Sequence, residues 1–191
     1  MSTATPPTTF IERPALVMER TFSTSDFGAL YLQWFDSVHR WVRAFGGPAA
    51  DIEDLTQEVF VVVQRKLARF DGQNVGGWLY TITRRTVSDY RRRWWFRRIF
   101  MRPRDVSLDA IEQHGFSSEQ ELDRKREHAR FYRLVEKMNP KWRDSFVLFE
   151  VLGYRGDEIA ALRQLPPATI RIHLHRARKE FMDLLAKEVQ S

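Results

Sequence analysis

Phe70 to Arg98 reads FDGQNVGGWLYTITRRTVSDYRRRWWFRR, and it places an aromatic cluster and an arginine run on one helix. From Trp78 onward the helical period keeps Trp78, Leu79, Ile82, Thr86 and Tyr90 toward one side. Arg84, Arg85, Ser88, Arg91 and Arg92 fall largely on the other. One side packs and the other is cationic, which points to a polyanion such as nucleic acid. The preceding loop, Asp71 to Gly77, carries small and amide residues whose backbone can approach a partner closely. Gln73 and Asn74 each present a donor and an acceptor together, as reading a base edge requires. An unpaired strand has a place there, with the amides turned to its base edges. A solvated basic helix carries the same charge run, so the decision falls to the rest of the chain.

Composition narrows the classes. With 43% hydrophobic residues among 191, the chain can bury a core in one domain or two small ones. A net charge of +6 and a pI near 9.9 favour polyanionic partners, whether nucleic acid or an anionic membrane face. No apolar run approaches a membrane span, and the opening MSTATPPTTF lacks the basic and apolar regions of a secretory signal. A cytoplasmic protein without membrane insertion is expected. The absence of cysteine excludes a disulfide framework, a thiolate zinc site and a cysteine nucleophile. His173 and His175 diverge on a helix, and neither an HExxH pattern nor a phosphate-cradling glycine loop appears. Asp54 and Glu58 share a helical face without a histidine partner, which suits salt bridging better than a metal. No catalysis, cofactor or metal is expected.

Taken in order, residues 1–21 are rich in Thr and Pro and are expected to be a mobile leader. Ser25 caps a helix in which Phe27, Leu30, Tyr31, Trp34, Phe35, Val38, Trp41, Val42 and Phe45 recur three and four apart, until Gly46-Gly47-Pro48 stops it. Asp51 opens a second helix with Ile52, Leu55, Val59, Val62 and Leu67 inward. Asp54, Gln57, Glu58 and Val61 stay outward, a polar patch with one exposed valine that suits docking onto a protein. After the arginine-rich helix the apolar period is lost, and residues 101–121 are expected to be a linker. Ser118 with Glu121 forms a capping box, and Asn139-Pro140 starts a further helix that Gly153 ends. A short helix over Asp157–Leu162, a turn at Arg163–Leu165 and a longer helix from Pro166-Pro167 follow. Ile170, Leu174, Ala177, Phe181 and Leu184 face inward there, and Thr169, Arg171, Ile172, His173, Arg176 and Arg178 outward. That is a helix-turn-helix with a basic second helix. The expected fold is all-α, with two small helical domains at 22–100 and 122–191 joined by a flexible linker.

At this point the residues carry a family. Asp51-Ile52-Glu53-Asp54-Leu55-Thr56-Gln57-Glu58-Val59-Phe60, then Gly77-Trp78-Leu79-Tyr80 with Asp89-Tyr90-Arg91-Arg92, then Asp157-Glu158-Ile159-Ala160 with Thr169-Ile170 and His175-Arg176-Ala177-Arg178, resemble the group IV (extracytoplasmic-function) sigma factors of bacterial RNA polymerase, in the sigma-70 family. The resemblance implies a transcription initiation factor that binds core RNA polymerase at its clamp helices and flap. Asp54, Gln57, Glu58 and Val61 would meet the polymerase. Gln73, Asn74, Trp78, Tyr80, Arg84, Arg85, Ser88, Arg91 and Arg92 would recognise and melt the minus-ten element, as duplex and as single strand. Ala168, Thr169, Arg171, Ile172, His173, Arg176 and Arg178 would read the minus-thirty-five element. An anti-sigma protein is an expected partner, and nucleotide addition would belong to the polymerase. The sequence departs from the family at Arg85, where asparagine is usual, at Ala168 in place of glycine, and at Ile172-His173 in place of serine-arginine. Losing that arginine removes a bidentate guanine reader worth about 1–3 kcal/mol, while Ile172 can meet a thymine methyl, so an unusual upstream element is expected. The alternative is a helix-turn-helix regulator that binds duplex DNA by itself, which needs neither the docking face nor a single-strand site.

Overall fold

The computed structural model describes residues 27–46, 52–100 and 119–190, with the side chains of 94–100, 119–126, 128 and 189 left aside. The expected leader, the caps at Ser25 and Asp51, most of the linker, the Ser118–Glu121 box and the side chains of Trp94-Trp95-Phe96 therefore lie outside the described residues. Every regular element within them is helical.

Helix α1 (Phe27–Gly46) buries the stripe its period dictates, with Leu30, Trp34, Val38, Trp41, Val42 and Phe45 all inside. Helix α2 (Ile52–Leu67) packs beside it. Its first turn carries Glu53 and Asp54 and its last Arg65 and Lys66, each sign placed where the helix dipole favours it. The ring of Phe60 fills the seam, 4.6 Å from Tyr31 and stacked at 14° on Phe35. The buried stripe of α2 is Leu55, Thr56, Val59, Phe60, Val63 and Leu67. Ile52 and Val62, expected inside, are half-buried because the stripe is centred one position further round.

Helix α3 (Val75–Phe100) lies against both α1 and α2. Asn74 starts it, in the left-handed region at φ +43. Asparagine tolerates that conformation, and its Oδ1 accepts the Gly77 N–H at 2.9 Å, so it satisfies one of the helix's orphan donors. Gly76 and Gly77 are needed by space. A Cβ on Gly77 would stand 2.5 Å from the Asn74 amide, and one on Gly76 would stand 2.9 Å from the Trp34 ring.

The second unit begins with α4 (Glu119–Lys137), which starts just inside the expected 101–121 linker. Asn139 caps α5 (Pro140–Phe146), accepting the Lys141 N–H at 2.9 Å, with proline at the first helical position as expected. The helix continues into a π-helical turn over Val147–Val151, and Gly153 leaves it at φ +71. Helix α6 (Gly156–Arg163) is closed at its start by Glu158, whose carboxylate accepts the Arg155 N–H at 2.7 Å. Gln164, left-handed at φ 52, turns the chain into α7 (Pro167–Val189). Phe181 of α7 sits between Phe131 at 5.5 Å and Phe146 at 5.1 Å.

The two units are not separate beads. One continuous apolar cluster runs from Leu30 and Trp41 through Tyr80 to Tyr154, Leu162 and Ile170. Trp41 Nε1 donates to the Tyr154 hydroxyl at 3.1 Å across the junction, and α6 packs on α3.

Candidate nucleic-acid and protein interfaces

On α2, Asp54, Gln57, Glu58 and Val61 all face outward, with Val61 45% exposed. A bare valine at that level among polar neighbours leaves an apolar contact for a partner. Glu58 is held by Arg93 of α3 at 2.9 Å, an exposed pair of the kind worth under about 1 kcal/mol, so it remains available to exchange partners.

The residues gathered around α3 divide into groups. Arg85, Ser88 and Arg92 are exposed, and Arg92 pairs with Asp89 of its own helix, 3.1 Å away. Arg84 and Arg91 are half-buried. Arg84 lies 4.3 Å over the Phe45 ring and donates twice to Asp144 of α5, at 2.7 and 2.9 Å. Arg91 donates to Glu136 of α4 at 2.7 Å and to the Phe45 carbonyl at 3.3 Å. The division of α3 into a packed side and a solvent-facing cationic side therefore needs correction. Gly76, Tyr80, Thr83 and Val87 are buried too, because α3 is covered on a second flank by α6.

Tyr80 is 4% exposed, and its hydroxyl has no hydrogen-bond partner among the described residues. Burial, with the Asp144 carboxylate adding to it, pushes its pKa well above the ordinary phenol value. It lies at the wall of an open cleft of about 340 Å³ that Thr81, Arg84, Arg85, Ser88, Asp144 and Arg163 also line. Trp78 is elsewhere, stacked on Phe70 at 4.3 Å and 23°, so the structure does not bring the two aromatics into one pocket floor. Gln73 is exposed, its backbone N–H tied to Asp71. Both ends of the Asn74 amide are engaged: Oδ1 by Gly77, and Nδ2 by the Ala161 carbonyl of α6 at 2.9 Å.

On α7 the structure exposes Ala168, Arg171, Ile172, Arg176 and Arg178, and half-buries Thr169. Ile172 stands out at 52% exposure. Arg178 donates to Glu150 at 2.8 Å, and Arg176 lies 5.7 Å from the Trp142 ring, so both guanidiniums are steadied from α5 and the π turn. His173 was expected outside and is buried, at 4% exposure. The period explains it, because 170, 173, 174 and 177 form one inward stripe. Its Nδ1 sits 3.2 Å from Arg163 of α6, which also donates to the Ser145 hydroxyl and the Lys141 carbonyl. Burial first, then Arg163, Lys141 and Arg176, hold the histidine pKa below its ordinary value of 6.5. His173 thus lies inside the helix-turn-helix, in contact with Arg163 of α6. Sequence reasoning missed Asp144, Glu136, Ser145 and Arg163, whose partners lie far along the chain and carry no local signal.

No described group of three His, Cys, Asp or Glu side chains converges as a metal would need. No described helix is long and apolar enough to cross a membrane.

Comparison with known proteins adds to this geometry. Residues 30–97 match the family described as Sigma-70 region 2, and residues 128–181 that described as Sigma-70, region 4. The chain is 31% identical over 158 residues to the ECF RNA polymerase sigma factor SigE of Mycolicibacterium smegmatis, covering 83% of this chain and 61% of that one. It therefore spans about three fifths of that relative's length. The fold is similar to CnrH, solved in complex with the cytosolic domain of CnrY, with a TM-score of 0.56 and 23% identity over 84% of this chain and 88% of that one. It is also similar to the sigma factor RpoE of Bartonella quintana, solved with the anti-sigma factor NepR, with a TM-score of 0.52 and 21% identity over 84% and 97% of the two chains.

Proposed function

Since the chain belongs to the extracytoplasmic-function branch of the sigma-70 family, we propose that it is an alternative sigma factor, which binds core RNA polymerase, directs it to specific promoters and melts their minus-ten region. The observation that carries this is the succession of regions 2 and 4, in order, on the elements whose outward chemistry suits them. The α2 face of Asp54, Gln57, Glu58 and Val61 meets the polymerase clamp helices. Gln73 and Asn74 take base edges, and the arginines of α3 take phosphates, since a site that opens a duplex must prefer the unstacked strand. Tyr80 serves from beneath, as the wall of the cleft.

In the second unit, Ala168, Thr169, Arg171 and Ile172 at the start of α7 enter the major groove of the minus-thirty-five element. Arg176 and Arg178 further along grip phosphate. His173 acts by positioning, since its ring is inside. The second unit also reaches the polymerase flap. The domain limits are 22–100 and, with the start of α4, 119–191. By analogy with the complexes of its structural relatives, an anti-sigma protein holds the chain in reserve, and the site of action is the cytoplasm. The chain itself catalyses nothing and needs no cofactor, and nucleotide addition is the polymerase's. A regulator acting on duplex DNA alone would have no use for the α2 face or the cleft.

Permanganate footprinting of a promoter with core polymerase and this chain tests the proposal. Reactive thymines across the minus-ten region are expected only when both are present. Protection of closed duplex from DNase I by the chain alone, with no thymine made reactive to permanganate, would favour the stand-alone regulator.

A further inference from the structure

Arg163 ends α6, and the turn of Gln164, Leu165 and Pro166 leads from it straight into α7. Prolines at 166 and 167 fix the backbone there, so the start of α7 follows wherever Arg163 is placed. Ala168, Arg171 and Ile172 lie in the first two turns of that helix. Ile159, Leu162 and Ile170 bury the inner side of this corner, but apolar burial is non-directional and does not set an angle. The guanidinium of Arg163 supplies direction. It donates to the Ser145 hydroxyl and, at 3.3 Å, to the Lys141 carbonyl, both on α5, and its Nη1 lies 3.2 Å from His173 Nδ1 on α7. A guanidinium only donates, so the histidine nitrogen that faces it is the unprotonated acceptor. Ser145 is wholly buried, and its end of the bond has no water to turn to. Both terminal nitrogens of Arg163 are thus turned to acceptors inside the protein.

We propose that Arg163 is a positioning residue for reading the upstream element: by pinning the turn to α5 it seats Arg171 and Ile172 at the depth and angle at which they meet base edges. The proposal rests on the assignment of α7 as the reader of the minus-thirty-five element. Base contacts tolerate little displacement, since a hydrogen bond spans about 2.7–3.2 Å and weakens steeply off line. The long side chains of Arg176 and Arg178 reach phosphates across a displacement that base contacts do not survive. Loss of Arg163 therefore blurs sequence preference and spares general affinity for DNA. His173→Ala leaves both bonds to α5 in place, so the test falls on Arg163 itself.

Holoenzyme reconstituted from core polymerase and the full chain is equilibrated with a pool of promoter duplexes randomised across the upstream element. Sequencing the bound and free fractions gives a relative Kd for each sequence. Arg163→Met keeps the length of the stem and removes the donors. The ratio of Kd between the weakest and the best sequences should fall about tenfold, within the discrimination that direct base contacts supply, and at several base pairs together. Arg171→Ala is the contrast, since a direct reader loses its preference at its own base pair. Loss of stability alone would not move the ratio, because a smaller competent fraction raises every Kd by the same factor. Ser145→Ala takes away one acceptor and should move the ratio the same way by less. An unchanged ratio in Arg163→Met overturns the proposal, as does an unchanged ratio in Ser145→Ala if Arg163→Met does not fold. A loss confined to one base pair also overturns it, since Arg163 would then be a direct reader. If the unaltered holoenzyme shows no preference across the upstream element, the assignment of α7 is what fails, and the positioning role falls with it.

Discussion

Asn74→Ala is the substitution most open to misreading, and the structure fixes what it should do. The side chain caps α3 through Gly77 and holds a backbone at φ +43. Losing an asparagine cap costs about 1 kcal/mol. Placing alanine in the left-handed region costs about 1–2 kcal/mol more. The free chain also loses the bond to Ala161, a donor that water replaces once exposed. The total is about 2–3 kcal/mol, or roughly 10 °C in melting temperature for a unit of this size. Asn74→Asp keeps an acceptor for Gly77, tolerates the same backbone and adds negative charge at a helix N-terminus, where the dipole favours it. It should cost less than alanine, its loss confined to the Ala161 bond, where a carboxylate oxygen replaces the donor and the carbonyl must turn to water, and it removes the base-edge donor. Urea unfolding of the three proteins measures this. If alanine lies within about 0.5 kcal/mol of asparagine, the ordinary range for a surface change, or if aspartate is as costly as alanine, the capping account is wrong. A melting defect in Asn74→Ala therefore reports helix loss as much as base capture, and Asn74→Asp is the cleaner probe.

Further predictions concern the other faces. Gln57→Ala with Glu58→Ala should weaken holoenzyme formation, measured by competition for core polymerase, while unfolding changes by less than about 1 kcal/mol because the Glu58–Arg93 pair is exposed. Arg171→Ala or Ile172→Ala should cost discrimination at individual upstream base pairs, about 1–3 kcal/mol at a base read directly. Arg176→Ala and Arg178→Ala should weaken all sequences alike, as binding to a panel of mutated elements would distinguish. His173→Ala should instead lower stability, and DNA affinity only with it. His173 also implies a pH dependence. Its folded pKa lies below 6.5, so the unfolded chain binds a proton that the folded one resists. Its contribution is present above pH 6.5 and is lost as pH falls from there toward the depressed value, at up to about 1.4 kcal/mol per pH unit. His173→Gln should flatten that slope in urea unfolding measured from pH 7.5 to 5.

Most of the helices were legible because their signals are local. The stripe from Leu30 to Phe45, the Asn139-Pro140 start and the Pro166-Pro167 start each specify an element within a few residues. The outward placement of Asp54, Gln57, Glu58 and Val61 on α2 was legible for the same reason. His173 was legible in principle, since its position three after Ile170 and four before Ala177 is an inward one. A stripe drawn through Ile170, Leu174 and Ala177 alone leaves that position outside, whereas the buried face is wide enough to take it in. Tyr80 and Arg84 were not legible. Their surroundings depend on α5 and α6, and Arg84 meets Asp144 across 60 positions of sequence, a distance over which no periodicity speaks.

Run-off transcription with core polymerase on genomic DNA from the source organism, with the 5′ ends of the transcripts mapped, tests the central claim most directly. The account predicts discrete start sites that appear only when the chain is added and that share paired upstream elements. It also predicts that these starts are lost with Gln57→Ala and Glu58→Ala. Transcripts whose starts are the same with and without the chain would contradict it.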